Sequence, residues 1–286
     1  MHYFVSTTYE PHYQWQIELL IESFKKHNMQ DKLVVSFTKL DDEVLHPDFS
    51  ANIISHPNII THDNIGKTRG YSKLNDFYAL YWALKAGHLE QPFMVIPTDS
   101  VMFSPPSVLT PDYPYLQYQV DPFFTPELVI NNVGNIIDID LKNENWPSMG
   151  SILCFTKFPI EFFEQGIELV ESLVYKQLKE NGKIWEYTER LAWNLMVFNR
   201  IGDVSILGVY DYESDMMSNF PKNFIHYDRG FLPIFHKDMF PYLSPNYFSF
   251  GNPFKVLGEN SPTGAFKYMS DLANVYNRRK QRLQKI

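Results

Sequence analysis

The stretch Pro92–Phe103, "PFMVIPTDSVMF", decides the fold. Four apolar residues lead into Pro97-Thr98-Asp99-Ser100, and apolar residues resume directly afterwards. The apolar run predicts a buried strand. A buried carboxylate is costly unless it is paired or binds a metal. Asp99 is therefore either a turn residue at a strand end or a residue that is held there for function.

Strands and helices alternate on the N-terminal side of this stretch. The sequence predicts strands over 2–9, 32–37 and 58–63 and helices over 13–27 and 72–87, the last with Ser72 as its cap and Gly87 as its end. This alternation predicts an α/β fold with a mixed, mainly parallel sheet flanked by helices. Ligands of such folds bind beyond the carboxyl ends of the strands, where Asp99 is expected.

The C-terminal side is less regular. We predict strands over 114–120 and 150–155, helices over 159–182 and 186–202, a loop or exposed edge over 131–146, and a turn-rich segment after Gly202. We find no internal repeat and no low-complexity linker, so the sequence offers no clear domain boundary.

Composition excludes several classes of protein. The net charge of -8 disfavours nonspecific binding to nucleic acid. The single cysteine, Cys154, lies in the apolar run "SILCF" and is expected in the core. No secretory signal and no apolar run of about 18 residues occur, which predicts a soluble, cytoplasmic protein that does not interact with membranes. Glycine-rich dinucleotide and P-loop motifs do not occur either.

A carboxylate and an imidazole each follow an apolar run. Asp99 is the carboxylate, and His226 in "FIHYDRGF" is the imidazole. Both groups suit Mn²⁺ or a similar ion, which completes its coordination with water and phosphate oxygens. Taken singly, Asp99 reads as a turn residue and His226 as a packed histidine. As a pair at strand ends they become candidate ligands of a metal ion.

Two glutamates open a late helix in "WEYTERLAWN". Glu186 and Glu189 either stabilise the positive end of the helix or place one carboxylate in a cleft as a base, with Glu189 the stronger candidate. A second polar segment, "GKTRGYSKLND", precedes the helix over 72–87. Its Lys67 and Arg69 can meet a diphosphate, or they lie in a solvated loop.

Segments along most of the chain resemble, in order, the plant and algal hydroxyproline O-arabinosyltransferases and the related peptidyl-serine galactosyltransferases. The segments are "STTYEPHYQWQIELLIESFKK", "SKLNDFYALYWALK", "MVIPTDSVMFSPP", "VGNI", "ERLAWNLMVF" and "FIHYDRGF". The family's apolar strand ends in Glu-Pro-Asp. Pro97 stands at the first acidic position here, so the resemblance implies metal binding that is weaker or that relies on the sugar nucleotide.

The resemblance implies a GT-A glycosyltransferase. It implies one domain over 1–286, with a nucleotide-sugar-binding half (1–104) and an acceptor-binding half (105–286). The donor would be UDP-arabinose or UDP-galactose, and Mn²⁺ or Mg²⁺ would be bound by Asp99 and His226. Glu189 would be the catalytic residue near the acceptor. The nucleotide-sugar contacts would come from Thr8, Lys67, Arg69, Lys73, Asn75, Thr98 and Asp99.

The acceptor is open at this stage. The Asn, Lys, Ile, Tyr and Phe bias suggests an AT-rich genome, and some phages glycosylate hydroxymethylcytosine in their own DNA, so the leading acceptor is such DNA in the host cytoplasm. That acceptor requires cations on one face, drawn from Arg229, Lys237, Arg278, Arg279 and Arg282. The alternatives are a protein hydroxyl or a surface-glycan precursor, a nucleotide-sugar-binding relative without turnover, and a nucleotidyltransferase on a similar sheet.

Overall fold

The structure is a computed structural model that describes residues 1–8, 11–39, 51–98, 100–102, 105, 115–121, 123–137, 141, 146–198, 205–209 and 224–226. The chain divides into two compact units, each built from separate segments. The first comprises Met1–Ser6, Ile60–Ile96 and Leu109–Tyr210. The second comprises Thr7–Ile59, Pro97–Val108 and Asp211–Ile286. The predicted halves 1–104 and 105–286 stay a prediction.

The helices and strands of the described residues follow the predicted alternation. In chain order they are β1 (His2–Thr8), α1 (Pro11–Lys26), a short 3₁₀ turn (Gln30–Lys32), β2 (Leu33–Thr38), α2 (Ala51–Ile54), β3 (Ile59–His62), α3 (Ile65–Arg69), α4 (Leu74–Lys85), β4 (Phe93–Val95), β5 (Ser100–Met102), β6 (Tyr115–Val120), α5 (Pro126–Val133), β7 (Met149–Phe155), α6 (Ile160–Asn181), α7 (Thr188–Phe198), β8 (Ser205–Val209) and β9 (Phe224–His226).

The first unit contains a mixed sheet in the order β1-β4-β7-β6-β8. β1 and β4 are parallel, as are β6 and β8. β7 runs antiparallel to both β4 and β6. Helix α4 packs on α6, α6 packs on α7, and α7 contacts β7. The α/β class with helices flanking a mixed sheet is thus confirmed.

The core of the first unit is largely aromatic. Phe93 on β4 and Phe155 on β7 lie 5.2 Å apart, ring centre to ring centre. Phe77 on α4 stacks on Trp193 of α7 at 4.3 Å. Cys154 is buried in β7, as predicted, and burial raises the pKa of its thiol to about 12. These contacts hold α4 and α7 at fixed positions.

The second unit places β5 against α1. The hydroxyl of Ser23 accepts a hydrogen bond from the Met102 N–H at 3.0 Å and donates to the Leu20 carbonyl at 2.6 Å. β5 pairs antiparallel with β9, with Ser100 opposite His226. This register fixes the backbone position of the predicted metal-binding histidine.

Three local predictions were wrong. Ser72 does not cap α4, which begins at Leu74 without a side-chain cap; the Ser72 carbonyl instead accepts the Asn75 N–H at 3.1 Å in the preceding turn. Helix α5 extends into the predicted loop because Thr125 caps it and Pro126 fits its first turn. Strand β8 lies in the segment that was predicted to be turn-rich; its five residues are too few for the alternation of apolar and polar residues to indicate a strand.

Other expected boundaries were right. Gly87 ends α4 with a φ of 73°, and the next N–H, that of His88, bonds to the Ala83 carbonyl at 2.9 Å. Among the helices of the described ranges, none combines the length and the apolar character needed to cross a bilayer.

Candidate functional site

Glu189 lies in the first turn of α7, in the first unit, and its side chain is half-buried. The Tyr71 hydroxyl accepts a hydrogen bond from the Glu189 N–H at 2.9 Å and donates one to the Glu186 carbonyl at 3.2 Å. A buried phenol thus satisfies one of the free N–H groups that every helix has at its start. Glu186 precedes the helix and is exposed, so the two candidate glutamates differ in burial.

The surroundings of Glu189 favour its protonated form. Burial, first, and repulsion from Asp76, second, raise the pKa of its carboxyl to about 7. Lys73 and Arg190 lower the pKa but do not outweigh these two effects. A carboxyl that exchanges its proton near neutral pH is suited to general base catalysis.

The cations beside Glu189 each have a carboxylate partner. Lys73 Nζ lies 3.6 Å from Asp76 Oδ2. Arg190 donates a hydrogen bond to Asp121 Oδ2. The positive charge close to Glu189 is therefore largely balanced by Asp76 and Asp121, and these four groups carry no surplus positive charge.

Asn75 joins α3 to α4. Its side-chain oxygen accepts the Gly66 N–H at 2.8 Å, and its side-chain nitrogen donates to Asn64 Oδ1 at 2.9 Å. Asn64 also caps α3 by accepting the Lys67 N–H at 3.0 Å. A Cβ at Gly66 would lie 2.6 Å from the Tyr71 carbonyl oxygen, so α3 packs as closely as glycine allows. A nucleotide contact by the engaged Asn75 amide stays a prediction.

Arg69 and Lys67 lie on exposed positions of α3. Arg69 Nε is 3.4 Å from Glu171 Oε1 on α6, and Tyr78 donates to the same oxygen at 3.0 Å. Their predicted role at a diphosphate stays a prediction, as does the contact predicted for Lys73. The structure brings Lys73 and Glu189 together through Asp76 and holds Lys67 and Arg69 on the neighbouring helix.

The remaining candidates belong to the second unit. Thr8 ends β1 and Thr98 lies in the turn before β5; both are half-buried. The Thr8 hydroxyl is buried and has no hydrogen-bond partner among the described residues, and the same holds for Ser100. Asp99 and the side chain of His226 lie outside the described residues.

The register of β5 and β9 bears on the predicted metal pair. His226 pairs with Ser100, the residue that follows Asp99 in the sequence. A carboxylate and an imidazole are a donor set that Mn²⁺ accepts. Among the described side chains, no group of three or more His, Cys, Asp or Glu residues forms a metal-binding cluster. The metal ligands stay predictions.

Comparison with solved structures finds distant likeness. The galactosyltransferase LgtC, in complex with donor and acceptor sugar analogs, is 11% identical over 96% of each chain, with a TM-score of 0.46. An active-site mutant of LgtC matches over 86% of this chain and 96% of its own, at 11% identity and a TM-score of 0.39.

A third structure is the CTP:phosphocholine cytidylyltransferase LicC of Streptococcus pneumoniae. It is 13% identical over 73% of this chain and 90% of its own, with a TM-score of 0.33. No protein-family model matches the sequence, and no curated protein matches it. At these identities and TM-scores the likeness establishes neither the family nor the activity of this chain.

Sequence reasoning missed the residues that shape the surroundings of Glu189. Tyr71 and Glu189 are 118 positions apart in the chain, and no local pattern reports such a pairing. Asp76 lies in the quoted segment "SKLND", but it reads as an ordinary acid in the first turn of a helix. Asp121 precedes Pro122 in the sequence, between β6 and α5, and an aspartate in such a position is usually a turn residue.

Proposed function

We propose that this chain is a glycosyltransferase in which Glu189 accepts the proton of the acceptor hydroxyl. One observation carries the proposal: a half-buried carboxyl at the start of α7 whose pKa is raised to about 7 by burial and by Asp76. A hydroxyl attacks a sugar more readily when a base takes its proton, and a base with a pKa near the working pH does so best.

The donor in this proposal is a UDP-sugar, carrying arabinose or galactose, and the metal is Mn²⁺ or Mg²⁺. Asp99 and His226 would hold the ion, which when bound supplies positive charge to the leaving diphosphate. The chemistry of the two groups supports this assignment, because a carboxylate and an imidazole are both ligands of such ions. Thr8 and Thr98 would contact the nucleotide sugar, and the hydroxyl of Thr8, without a partner among the described residues, has hydrogen-bonding capacity for it.

The proposed transfer step is a direct displacement at the anomeric carbon of the sugar. The acceptor oxygen forms a bond to the anomeric carbon of the sugar, while the bond from that carbon to the diphosphate oxygen breaks. The diphosphate leaves with the electron pair, and the acceptor proton moves to a Glu189 carboxylate oxygen. The Tyr71 hydrogen bond to the Glu189 N–H fixes the backbone from which this carboxylate projects. The proton is released to solvent before the next cycle.

Two classes of acceptor follow from the sequence. Hydroxymethylcytosine in phage DNA stays a prediction, and the cations it requires, from Arg229 to Arg282, lie outside the described residues. The described residues near Glu189 favour the alternative, a neutral hydroxyl of a surface-glycan precursor or a protein. Lys73 and Arg190 are both matched by carboxylates, which leaves little net positive charge for a phosphate backbone.

Thermal melting and UDP release with a panel of UDP-sugars and Mn²⁺ would test the proposal. The wild type is expected to melt higher with one UDP-sugar only when metal is present, and to release UDP. Glu189→Gln is expected to keep the melting shift and to lose at least about tenfold of the turnover. Glu186→Gln, the same chemical change on an exposed neighbour, is the matched control and is expected to behave as wild type.

Asp99→Ala tests the metal-dependent binding of the donor. It is expected to lose the metal-dependent melting shift together with UDP release. If the wild type binds a UDP-sugar but releases no UDP with any acceptor class, the chain is a binding relative without turnover. If no UDP-sugar changes the melting temperature with or without Mn²⁺, the glycosyltransferase proposal is wrong.

A further inference from the structure

An aromatic surface lies beside Glu189 in the first unit. Phe124 stacks on Trp185, with ring centres 5.8 Å apart and planes at 10°. Tyr187 meets both rings edge-on, at 6.4 Å from Phe124 and 5.6 Å from Trp185. Phe123, the neighbour of Phe124, is 84% exposed, and Tyr187 is 39% exposed. Exposed rings next to a buried stack offer an apolar face on which the ring of a ligand can pack.

The loop that carries Trp185 and Tyr187 is fastened to α6. Gln177 on α6 is fully buried, and its side-chain oxygen accepts the Trp185 N–H at 2.7 Å. Its side-chain nitrogen donates to Thr188 Oγ1 at 2.8 Å. Thr188 in turn donates to the Trp185 carbonyl at 2.7 Å. The backbone of this loop is therefore held in place before any ligand arrives, which lowers the entropic cost of binding.

Polar groups adjoin this surface. The Arg190 guanidinium lies 5.6 Å from the Phe124 ring centre and 5.4 Å from that of Tyr187. Asp121 accepts the Phe123 N–H at 2.9 Å and pairs with Arg190. Both side chains are partly exposed, and a guanidinium and a carboxylate have more hydrogen-bonding sites than this pair uses. Arg190 directly follows Glu189 in the first turn of α7, so the aromatic surface and the candidate base lie at the same end of that helix.

Two kinds of ligand stack on aromatic rings, nucleic-acid bases and sugar rings, and the charges of this surface favour one of them. A nucleic acid brings a phosphate with every base, and binding it needs surplus positive charge. Here Arg190 is matched by Asp121, and Glu186 adds an exposed acid to the same loop. A neutral sugar ring needs no such surplus. It needs an apolar face to pack on the rings and hydrogen-bonding partners for its hydroxyls, and both are present.

We propose that Phe123, Trp185 and Tyr187 form the acceptor subsite for a neutral sugar ring, with Asp121 and Arg190 bonding to its hydroxyls. The inference rests on the proposed function, because it makes Glu189 the base for a hydroxyl of the bound sugar. The acceptor class is accordingly a neutral glycan or glycoside.

Saturation-transfer NMR with neutral methyl glycosides of galactose, glucose and arabinose tests the subsite without any turnover. Phe123→Ala and Tyr187→Ala are the test variants, and both remove side chains that face solvent at least in part. Tyr175→Ala is the matched control, because Tyr175 on α6 is 69% exposed. Phe123→Trp is the conservative variant that keeps an aromatic face.

Wild type, Tyr175→Ala and Phe123→Trp are expected to show saturation transfer to at least one glycoside. Phe123→Ala and Tyr187→Ala are expected to bind it roughly two- to tenfold more weakly, the range expected for loss of one ring contact. The same variants are expected to raise the acceptor KM in UDP-release assays while leaving the donor-induced melting shift unchanged.

The subsite is refuted if the wild type binds none of the glycosides, if all variants bind equally, or if only an oligonucleotide containing hydroxymethylcytosine binds. The last outcome would assign the surface to a base instead. Failure of the proposed function is a separate result, because it shows as the absence of any UDP-sugar effect on melting in the wild type.

Discussion

Replacing Glu189 by glutamine should make the protein more stable at neutral pH. A glutamate in the unfolded chain ionises near its ordinary pKa of 4.5, whereas the folded state holds the proton up to about 7. Between these values the folded state binds more protons than the unfolded state. The wild type therefore loses stability as the pH rises through this window, and the loss is complete above pH 7.

The magnitude follows from the pKa difference. A rise from 4.5 to about 7 corresponds to about 3 kcal/mol at most at pH 8. At pH 5 the same difference is worth about 1 kcal/mol or less, because most of the penalty has not yet appeared. Partial exposure of Glu189, and loss of its attraction to Lys73 and Arg190, reduce both figures. We expect a gain of about 1–2 kcal/mol at pH 8, or roughly 2–8 °C in Tm.

Circular-dichroism melting at pH 5, 6, 7 and 8 measures this effect. Glu189→Gln is compared with wild type, and Glu186→Gln provides the control for removing one exposed carboxylate. The Tm difference between Glu189→Gln and wild type should grow from pH 5 to pH 8, and that of Glu186→Gln should stay flat. A gain that is equal at all four pH values, or a loss of stability at pH 8, would refute the physical account of this carboxyl.

Three further substitutions, one of them with a control variant, test the supports of the site. Tyr71→Phe removes a hydroxyl that makes two backbone hydrogen bonds, and it should lower the free energy of unfolding by about 1–2 kcal/mol in urea titrations. Tyr78→Phe is the control: it removes a partly exposed hydrogen bond to Glu171 and should lower the free energy of unfolding by less than about 0.5 kcal/mol. Gly66→Ala places a Cβ 2.6 Å from a backbone oxygen and should cost about 1–3 kcal/mol by the same measurement; an unchanged midpoint would mean that α3 can move away freely. Gln177→Ala should cost about 1–3 kcal/mol and increase acrylamide quenching of the part of the tryptophan fluorescence that Trp185→Phe removes; unchanged quenching would show that the loop is held by other contacts.

The fold was largely accessible from the sequence because its patterns are local. The apolar run before Asp99 is β4, and Gly87 and Gly182 end their helices in the left-handed region, where glycine is favoured. The errors came where local signals are weak. Asn131 and Asn132 form helices poorly, but they complete α5 because Thr125 caps its start.

The site was less accessible because its chemistry depends on distant contacts. The sequence singled out Glu189, but the rise in its pKa comes from burial and from Asp76 on another helix. The phenol of Tyr71 looks like any aromatic residue in the sequence, and only the fold brings it to the start of α7. Periodicity reports which residues face a core, not which of them meet there.

The discontinuous first unit has a consequence for synthesis of the chain. His2 of β1 pairs with Phe93 of β4, and Tyr115 of β6 pairs with Ser205 of β8. At roughly 5–20 residues per second, a ribosome needs roughly 5–20 s after making β1 before β4 exists to meet it, and as long again before β8 follows β6. Until then β6 presents an open edge of this sheet to other nascent chains, a known route to aggregation. Expression at a lower growth temperature, or with additional chaperones, should therefore raise the yield of this protein by more than the stability of its finished fold would suggest.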